Sequence, residues 1–441
     1  MNTDITHADP AFLHRRRTAR AVLAGLNDVV PPAVAFYQEL HRDPELSGEE
    51  EITAARFARR LRDCGFAVTT GIGGHGVAGL LRNGSGPMVG FRAELDGLPI
   101  TERTGLSYSS PPHRPRMHAC GHDAHLAAAA GSAALLAAAK ERWQGSLLVI
   151  GQPAEETLTG ARAMLDDGLY RRLGTPDVLL AQHVGPLPCG TVAHSGTAVM
   201  AAVAEVQVKL RGQGGHSGSR TLANEVLAAV ARFVLLIEAT RTISAEPDDP
   251  LITVGAVNAG ESANVIADEA ELKVTVRSHS PAEVGRGVNR VREFVRTACG
   301  KHGRPVSAEC TVLRRGPVLL NDPEAALRVG RLHRAMLGDR RVLSVSPATS
   351  GEDFGHFSAF EQDMHPPAEV PTVYWFVGAT GAYRWHATPG ATFADKLAAL
   401  PGCHSPYFAP DPEPTLATAI TALVSGAFAY LEPRTDGIHT P

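Results

Sequence analysis

Residues 117–156 read MHACGHDAHLAAAAGSAALLAAAKERWQGSLLVIGQPAEE. The stretch holds a polar loop, an alanine-rich run, a short apolar run and a pair of acids, in that order. Ala124–Ala139 is rich in the strongest helix former and lacks proline, so it reads as a buried helix. Ser146–Gly151 has the length and apolar character of a buried strand, and Gln152, Glu155 and Glu156 follow it. Two further runs share this form. Met88–Ala93 ends in Arg92, Glu94 and Asp96, and Val178–His183 ends in His183. Strands alternating with helices predict an α/β fold, a mostly parallel sheet with helices on both faces. In such sheets ligands bind beyond the carboxyl ends of the strands, so three strand ends point to one site.

Outward from this core, residues 11–65 read as helical, with HRDPELSGEE (41–50) at a helix–loop–helix junction. The middle of the chain follows another pattern. Val206, Val208 and Leu210 alternate with polar residues, as do Ala270, Leu272, Val274 and Val276, and Val306, Ala308, Cys310 and Val312. Helical runs at 222–239 and 284–298 and an apolar segment at Leu251–Val257 complete a β-α-β-β-α-β order, the ferredoxin-like arrangement. Residues 199–316 are therefore expected to form an inserted α+β domain, and 1–198 with 317–441 the catalytic domain.

Composition narrows the function. The chain has 441 residues, 44% hydrophobic and 20% charged, with a net charge of −4. That suits a globular protein and gives no basic excess for nucleic acid. Its six cysteines, at 64, 120, 189, 299, 310 and 403, form no CxxC pair, which suits free thiols in a reducing compartment. The N-terminal residues show no apolar signal region, and Ala127–Ala139 is too short to span a membrane, so a cytoplasmic location without membrane association is expected.

The densest group of potential ligands is His118, Cys120, His122, Asp123 and His125. A thiol and an imidazole flanking Gly121 can converge on one ion, and a histidine-rich packing loop is the alternative. Adjacent acids such as Glu155 and Glu156 point different ways, so one can ligate while the other moves protons; on many surfaces such a pair is merely solvated. His183 and His404 are each ambiguous alone. With Cys120, His122 and Glu156 they make a mixed S, N and O donor set suited to two metals. No GxSxG, P-loop or GxGxxG spacing is present.

Read together, RAELDGLPI, MHACGHDAH, GQPAEETLTGARAM, AQHVGPLPCG, RGQGGHSG, ANVIADEAELKVTVR, SGEDFGHF and CHSPYF resemble, in order, the amidohydrolases that include hippurate hydrolase, the indole-3-acetyl-amino-acid hydrolases and the N-acetyldiaminopimelate deacetylases. These are a branch of the aminoacylase and carboxypeptidase group of dinuclear metallopeptidases. The resemblance implies that Cys120, His122, Glu156, His183 and His404 hold two divalent ions (zinc, manganese, cobalt or nickel), with Cys120 as the bridge. It implies Glu155 as general base and acid, Asp96 behind His122, and His216 reaching the substrate. Asn264 and Arg277 would take the substrate carboxylate, and the inserted domain would act as lid and homodimer contact. The implied substrates are small N-acyl amino acids. A dipeptidase or carboxypeptidase, a biosynthetic deacetylase, or a non-catalytic binding protein on the same fold are the alternatives. The altered wording at GGHSGSRT and NVIADEA, and the long segment Glu361–Thr372, fall where substrate preference is expected to be set.

Overall fold

Leu147, Leu148, Val149 and Ile150 are all fully buried, so their strand is covered on both faces. A continuous apolar run, rather than an alternating one, is what a central parallel strand requires. In the computed structural model, which describes residues 9–219, 222, 224–243, 249–300, 305–360 and 368–434, this strand is Trp143–Gln152. Part of the Glu361–Thr372 segment lies outside the described residues.

The chain divides into two compact units, Met1–Thr197 with Leu320–Ser346 and His356–Pro441, and Ala198–Leu319 with Pro347–Gly355. In the larger unit the strands run in the order Ala67–Ile72, Gly76–Asn83, Trp143–Gln152, Met88–Glu94, Val178–Pro188, Thr372–Thr380, Val192–His194 and Val342–Ser344. Trp143–Gln152, Met88–Glu94, Val178–Pro188 and Thr372–Thr380 are mutually parallel neighbours. Leu147 and Val149 pack into one cluster with Phe36 and Leu40 of helix Leu26–His41, Leu126 and Ala133 of His122–Ala138, Val329 of Pro323–Leu337 and Leu416 and Leu423 of Pro412–Ala427. Beyond that cluster, helices Gly160–Asp166 and Leu169–Leu173 bury Met164, Leu169 and Tyr170. Among the described residues no helix is long and apolar enough to cross a membrane.

The smaller unit has a four-stranded sheet in the order Leu251–Ala259, Glu269–Ser278, Ala202–Arg211 and Ser307–Gly316, every pair antiparallel. With helices Glu225–Ile243 and Pro281–Cys299 this is the ferredoxin-like arrangement. Val206, Val208, Leu210, Val274 and Val276 face Phe233, Val288 and Val291. Ser307–Gly316 departs from the expected alternation: Ala308 is exposed and Leu313 is 45% exposed, because it is an edge strand whose register shifts between Val312 and Arg314. Pro347–Gly355 joins this unit rather than the larger one, held by backbone bonds from Ala201 N–H to the Ser350 carbonyl and from Ala348 N–H to the Val199 carbonyl.

One buried polar pair makes the larger unit sensitive to acid. His333 Nε2 donates to the Ala422 carbonyl at 3.0 Å, so its Nδ1 accepts from His194 Nε2 at 2.9 Å. Both rings are neutral in this arrangement. Burial, then Arg334, pushes His194 down from 6.5 to about 4, and burial pushes His333 well below 6.5. Groups with depressed folded values take up protons first in the unfolded chain, so stability falls as pH drops from the ordinary histidine range toward about 4. The melting temperature is expected to fall between about pH 7 and about pH 5, and to fall a few degrees less in His194→Gln, whose amide keeps the donor. Equal falls in both proteins would rule the pair out as the cause.

Candidate metal centre

Three strands and two loops deliver the site. The Met88–Glu94 strand leads to Asp96, the Trp143–Gln152 strand to Glu155 and Glu156, and the Val178–Pro188 strand carries His183 within its length. Cys120 and His122 flank the turn that opens helix His122–Ala138. Gly121 between them has φ 80°, and a Cβ there would meet Val184 Cγ2 at 2.3 Å, so only glycine fits. His404 sits on a later loop, with φ 67°, its N–H bonded to the Ala119 carbonyl at 2.8 Å.

The five expected ligands converge. Donor atoms of Cys120, His122 and His183 lie within 4.8 Å of one another, as do those of Cys120, Glu156 and His404, and those of His122, Glu155 and Glu156. Cys120 Sγ is 3.3 Å from His183 Nε2, and Glu156 Oε2 is 3.3 Å from His404 Nε2. His122 Nε2 faces Glu155 Oε2 at 3.8 Å and Glu156 Oε1 at 3.9 Å. Among the described residues His122 Nε2 and Glu156 Oε1, both buried, have no hydrogen-bond partner. Buried polar atoms are costly when unpaired, and two opposed lone-pair donors at this separation fit a cation between them. Thiolate, imidazole and carboxylate together suit a later divalent metal.

Three of the expected ligands, His122, Glu156 and His183, are held from behind. His122 Nδ1 donates to the Asp96 carbonyl at 2.8 Å, and its distance to Asp96 Oδ1 is 3.3 Å, which leaves Nε2 for the centre. Asp96 Oδ2 accepts from Ser47 Oγ at 2.7 Å and from Glu156 N–H at 2.9 Å. His183 Nδ1 donates to the Val184 carbonyl at 2.7 Å. Burial alone would depress His122, but the Asp96 hydrogen bond and the surrounding carboxylates hold it up at about 10. The same competition keeps the Asp96 carboxyl low: burial opposes ionisation, and His122, the Glu156 N–H and the Ser47 hydroxyl together outweigh it. The carboxylates around His122 thus favour positive charge at its Nε2, the place a cation between it and Glu156 would take.

The remaining members of the 118–125 cluster are structural. His125 donates from Nδ1 to Glu94 Oε2 at 2.7 Å and accepts the Val184 N–H at Nε2, at 2.9 Å. Arg92 pairs with Glu94 and donates to Gln152. Asp123 binds His41 at 2.6 Å, whose other nitrogen meets Glu102 at 3.1 Å. His118 is buried with neither ring nitrogen bonded among the described residues, and burial pushes it down to about 4. Sequence reading missed the anchors His41, Glu102 and Glu50. Glu50 Oε1 accepts the N–H of Ala154 at 2.7 Å and so pins the residue before Glu155, whose φ is 52°. It also missed Cys403, whose thiol lies 3.5 Å from the Val184 carbonyl, next to the His183 that Cys120 meets. The signal available was its position beside His404.

The expected substrate residues lie in the smaller unit. His216 is exposed on a two-residue strand paired with Val265–Ile266, and its Nδ1 accepts from Gly218 N–H at 3.0 Å. Ser217 N–H donates to the Asn264 carbonyl at 3.0 Å, so His216 and Asn264 lie at one end of this two-stranded sheet. Arg277 donates to the Thr349 carbonyl at 3.2 Å.

The profile of Peptidase family M20/M25/M40 matches residues 90–403. An N-acetyldiaminopimelate deacetylase of Geobacillus sp. (strain WCH70) is 32% identical over 377 residues, 83% of this chain and 95% of that protein. A hippurate hydrolase of Campylobacter jejuni is 29% identical over 323 residues, 72% of this chain and 83% of that protein. The fold is shared with a dinuclear metal binding peptidase from Bacillus subtilis, at TM-score 0.66 and 24% identity, over 91% of this chain and 98% of that one. The chain therefore belongs to Peptidase family M20/M25/M40, as a metal-dependent hydrolase of amide bonds.

Proposed function

We propose that the protein hydrolyses the amide bond of N-acyl amino acids of the acetyl, benzoyl or aryl-acetyl type. The observation that carries this reading is the facing pair of buried, unpartnered atoms, His122 Nε2 and Glu156 Oε1, with Glu155 beside them. Cys120, His122, Glu156, His183 and His404 would hold two divalent ions. When bound, these supply Lewis acidity to the scissile carbonyl and make water acidic enough to lose a proton near neutral pH. The names of the relatives, a deacetylase and a hippurate hydrolase, support an N-acyl amino acid as substrate.

The chain's own residues then divide the work. Glu155, 6% exposed, takes the proton of the attacking water and passes it to the departing nitrogen, since an amine leaves well only when protonated. Asp96 keeps His122 in the tautomer that offers Nε2. His216 donates to the oxygen that gains charge. Asn264 and Arg277 take the free carboxylate, for which a guanidinium is the better-suited donor. The smaller unit serves as lid and as the contact of a homodimer. It leaves Leu227 and Leu235 exposed and ends in edge strands open to a second copy. A cytoplasmic location accords with free, unpaired thiols.

Three outcomes test the reading. Amine release from N-acetyl, N-benzoyl and indole-acetyl amino acids should stop on chelation and return with manganese or zinc; release that survives full metal removal would sink it. Glu155→Gln should keep its metal while kcat falls by about 10²–10⁴-fold, and near-normal turnover would remove the general-base role. Arg277→Ala should raise KM for substrates with a free carboxylate more than for their amides; equal effects would remove the clamp.

A further inference from the structure

Cys120 has a neighbour that amide hydrolysis does not use. The His404 N–H belongs to the peptide joining Cys403 to His404, and the Ala119 carbonyl to the peptide joining Ala119 to Cys120. Their hydrogen bond, at 2.8 Å, sets these two peptides side by side and brings the two cysteines together. Cys120 Sγ lies 3.3 Å from His183 Nε2 and Cys403 Sγ lies 3.5 Å from the Val184 carbonyl oxygen, so both sulfurs sit against the same two-residue segment. Cys120 is 8% exposed, whereas Cys403 is partly open to solvent. Two thiols held against one segment beside an imidazole, one of them on the more open residue, are an arrangement in which an attacking and a resolving thiol operate.

We propose that Cys120 and Cys403 are a redox pair whose disulfide closes the centre to metal. The inference rests on Cys120 being a metal ligand. In the metal-free protein the Cys403 thiolate attacks one oxygen of a peroxide. The O–O bond breaks, Cys403 becomes a sulfenic acid and hydroxide leaves as water after taking a proton. The Cys120 thiolate then attacks the Cys403 sulfur, the S–O bond breaks, the S–S bond forms and a second water departs. Two thiols are oxidised by two electrons and the peroxide is reduced to water. The disulfide removes the thiolate the ions require. A dithiol reductant restores it by exchange. Bound metal engages the Cys120 sulfur, so the loaded protein resists the reaction.

The test uses the full chain, metal-loaded or stripped by chelator, with hydrogen peroxide as the probe. Thiols are counted after denaturation, crosslinks are mapped by mass spectrometry and manganese uptake is measured by elemental analysis. The stripped protein should fall from six free thiols to four, carry a Cys120–Cys403 crosslink and lose manganese uptake until dithiothreitol is added. The loaded protein should form no Cys120–Cys403 crosslink, and neither should Cys403→Ser. A crosslink between other cysteines, or loss of uptake with no crosslink, would overturn the proposal. If the disulfide forms but the reduced protein takes up no metal, the ligand reading of Cys120 fails, and the closing of the centre fails with it.

Discussion

The Asp96 carboxylate is the point on which the centre depends. One oxygen accepts from Ser47 Oγ and from the Glu156 N–H, the other lies 3.3 Å from His122 Nδ1, and the residue's own carbonyl accepts from His122. Three segments far apart in the chain, the 41–50 loop, the metal helix and the paired-acid loop, are thus registered on one fully buried side chain. A buried carboxylate stays ionised only where charge or hydrogen bonds compensate the lost solvation. Here the compensation comes from the groups whose positions matter for chemistry. Stabilising the charge and aiming the ligand are therefore one interaction.

The same logic extends outward. Glu94 is buried between Arg92 and His125, and Asp123 is buried against His41, which also binds Glu102. His41 is held at about 9, burial being outweighed by Asp123, and Glu102 near 2 for the reciprocal reason. Each pair fixes a residue next to a proposed ligand: Asp123 follows His122, and His125 holds the amide of Val184, which follows His183. Such pairs are weak contributors to net stability, but breaking one leaves a buried charge uncompensated. They function as positional constraints on the ligand backbone.

The layers of this design differ in how far the sequence reveals them. Strand and helix periodicities expose the fold, because burial on one or both faces writes itself into residue spacing, as at Val206–Leu210 and Leu147–Ile150. The expected ligands stand out because a thiol and an imidazole flank a glycine before an alanine-rich helix and paired acids follow a buried strand. The supports do not. Ser47 meets Asp96, Glu50 meets Ala154 and His41 meets Asp123 across sequence separations of 49, 104 and 82 residues, and hydrogen bonds at such range leave no period to read. Pro347–Gly355 escapes for a related reason: it joins the smaller unit through backbone bonds, which any residues can make.

Backbone strain shows where the structure holds the site against local preference. Ala154 and His404 adopt positive φ, of 52° and 67°, though neither is glycine. Such conformations persist only when the surroundings over-determine them. At Ala154 the constraint is Glu50, which accepts its N–H and forces the chain to present Glu155 inward. At His404 it is the bond to Ala119, which ties the exposed ligand to the loop carrying the buried ones. That bond is also what sets Cys403 against Cys120. The constraint that completes the ligand set thus places a second thiol beside the first, and a site built to hold metal through sulfur acquires, by the same geometry, a means of losing it.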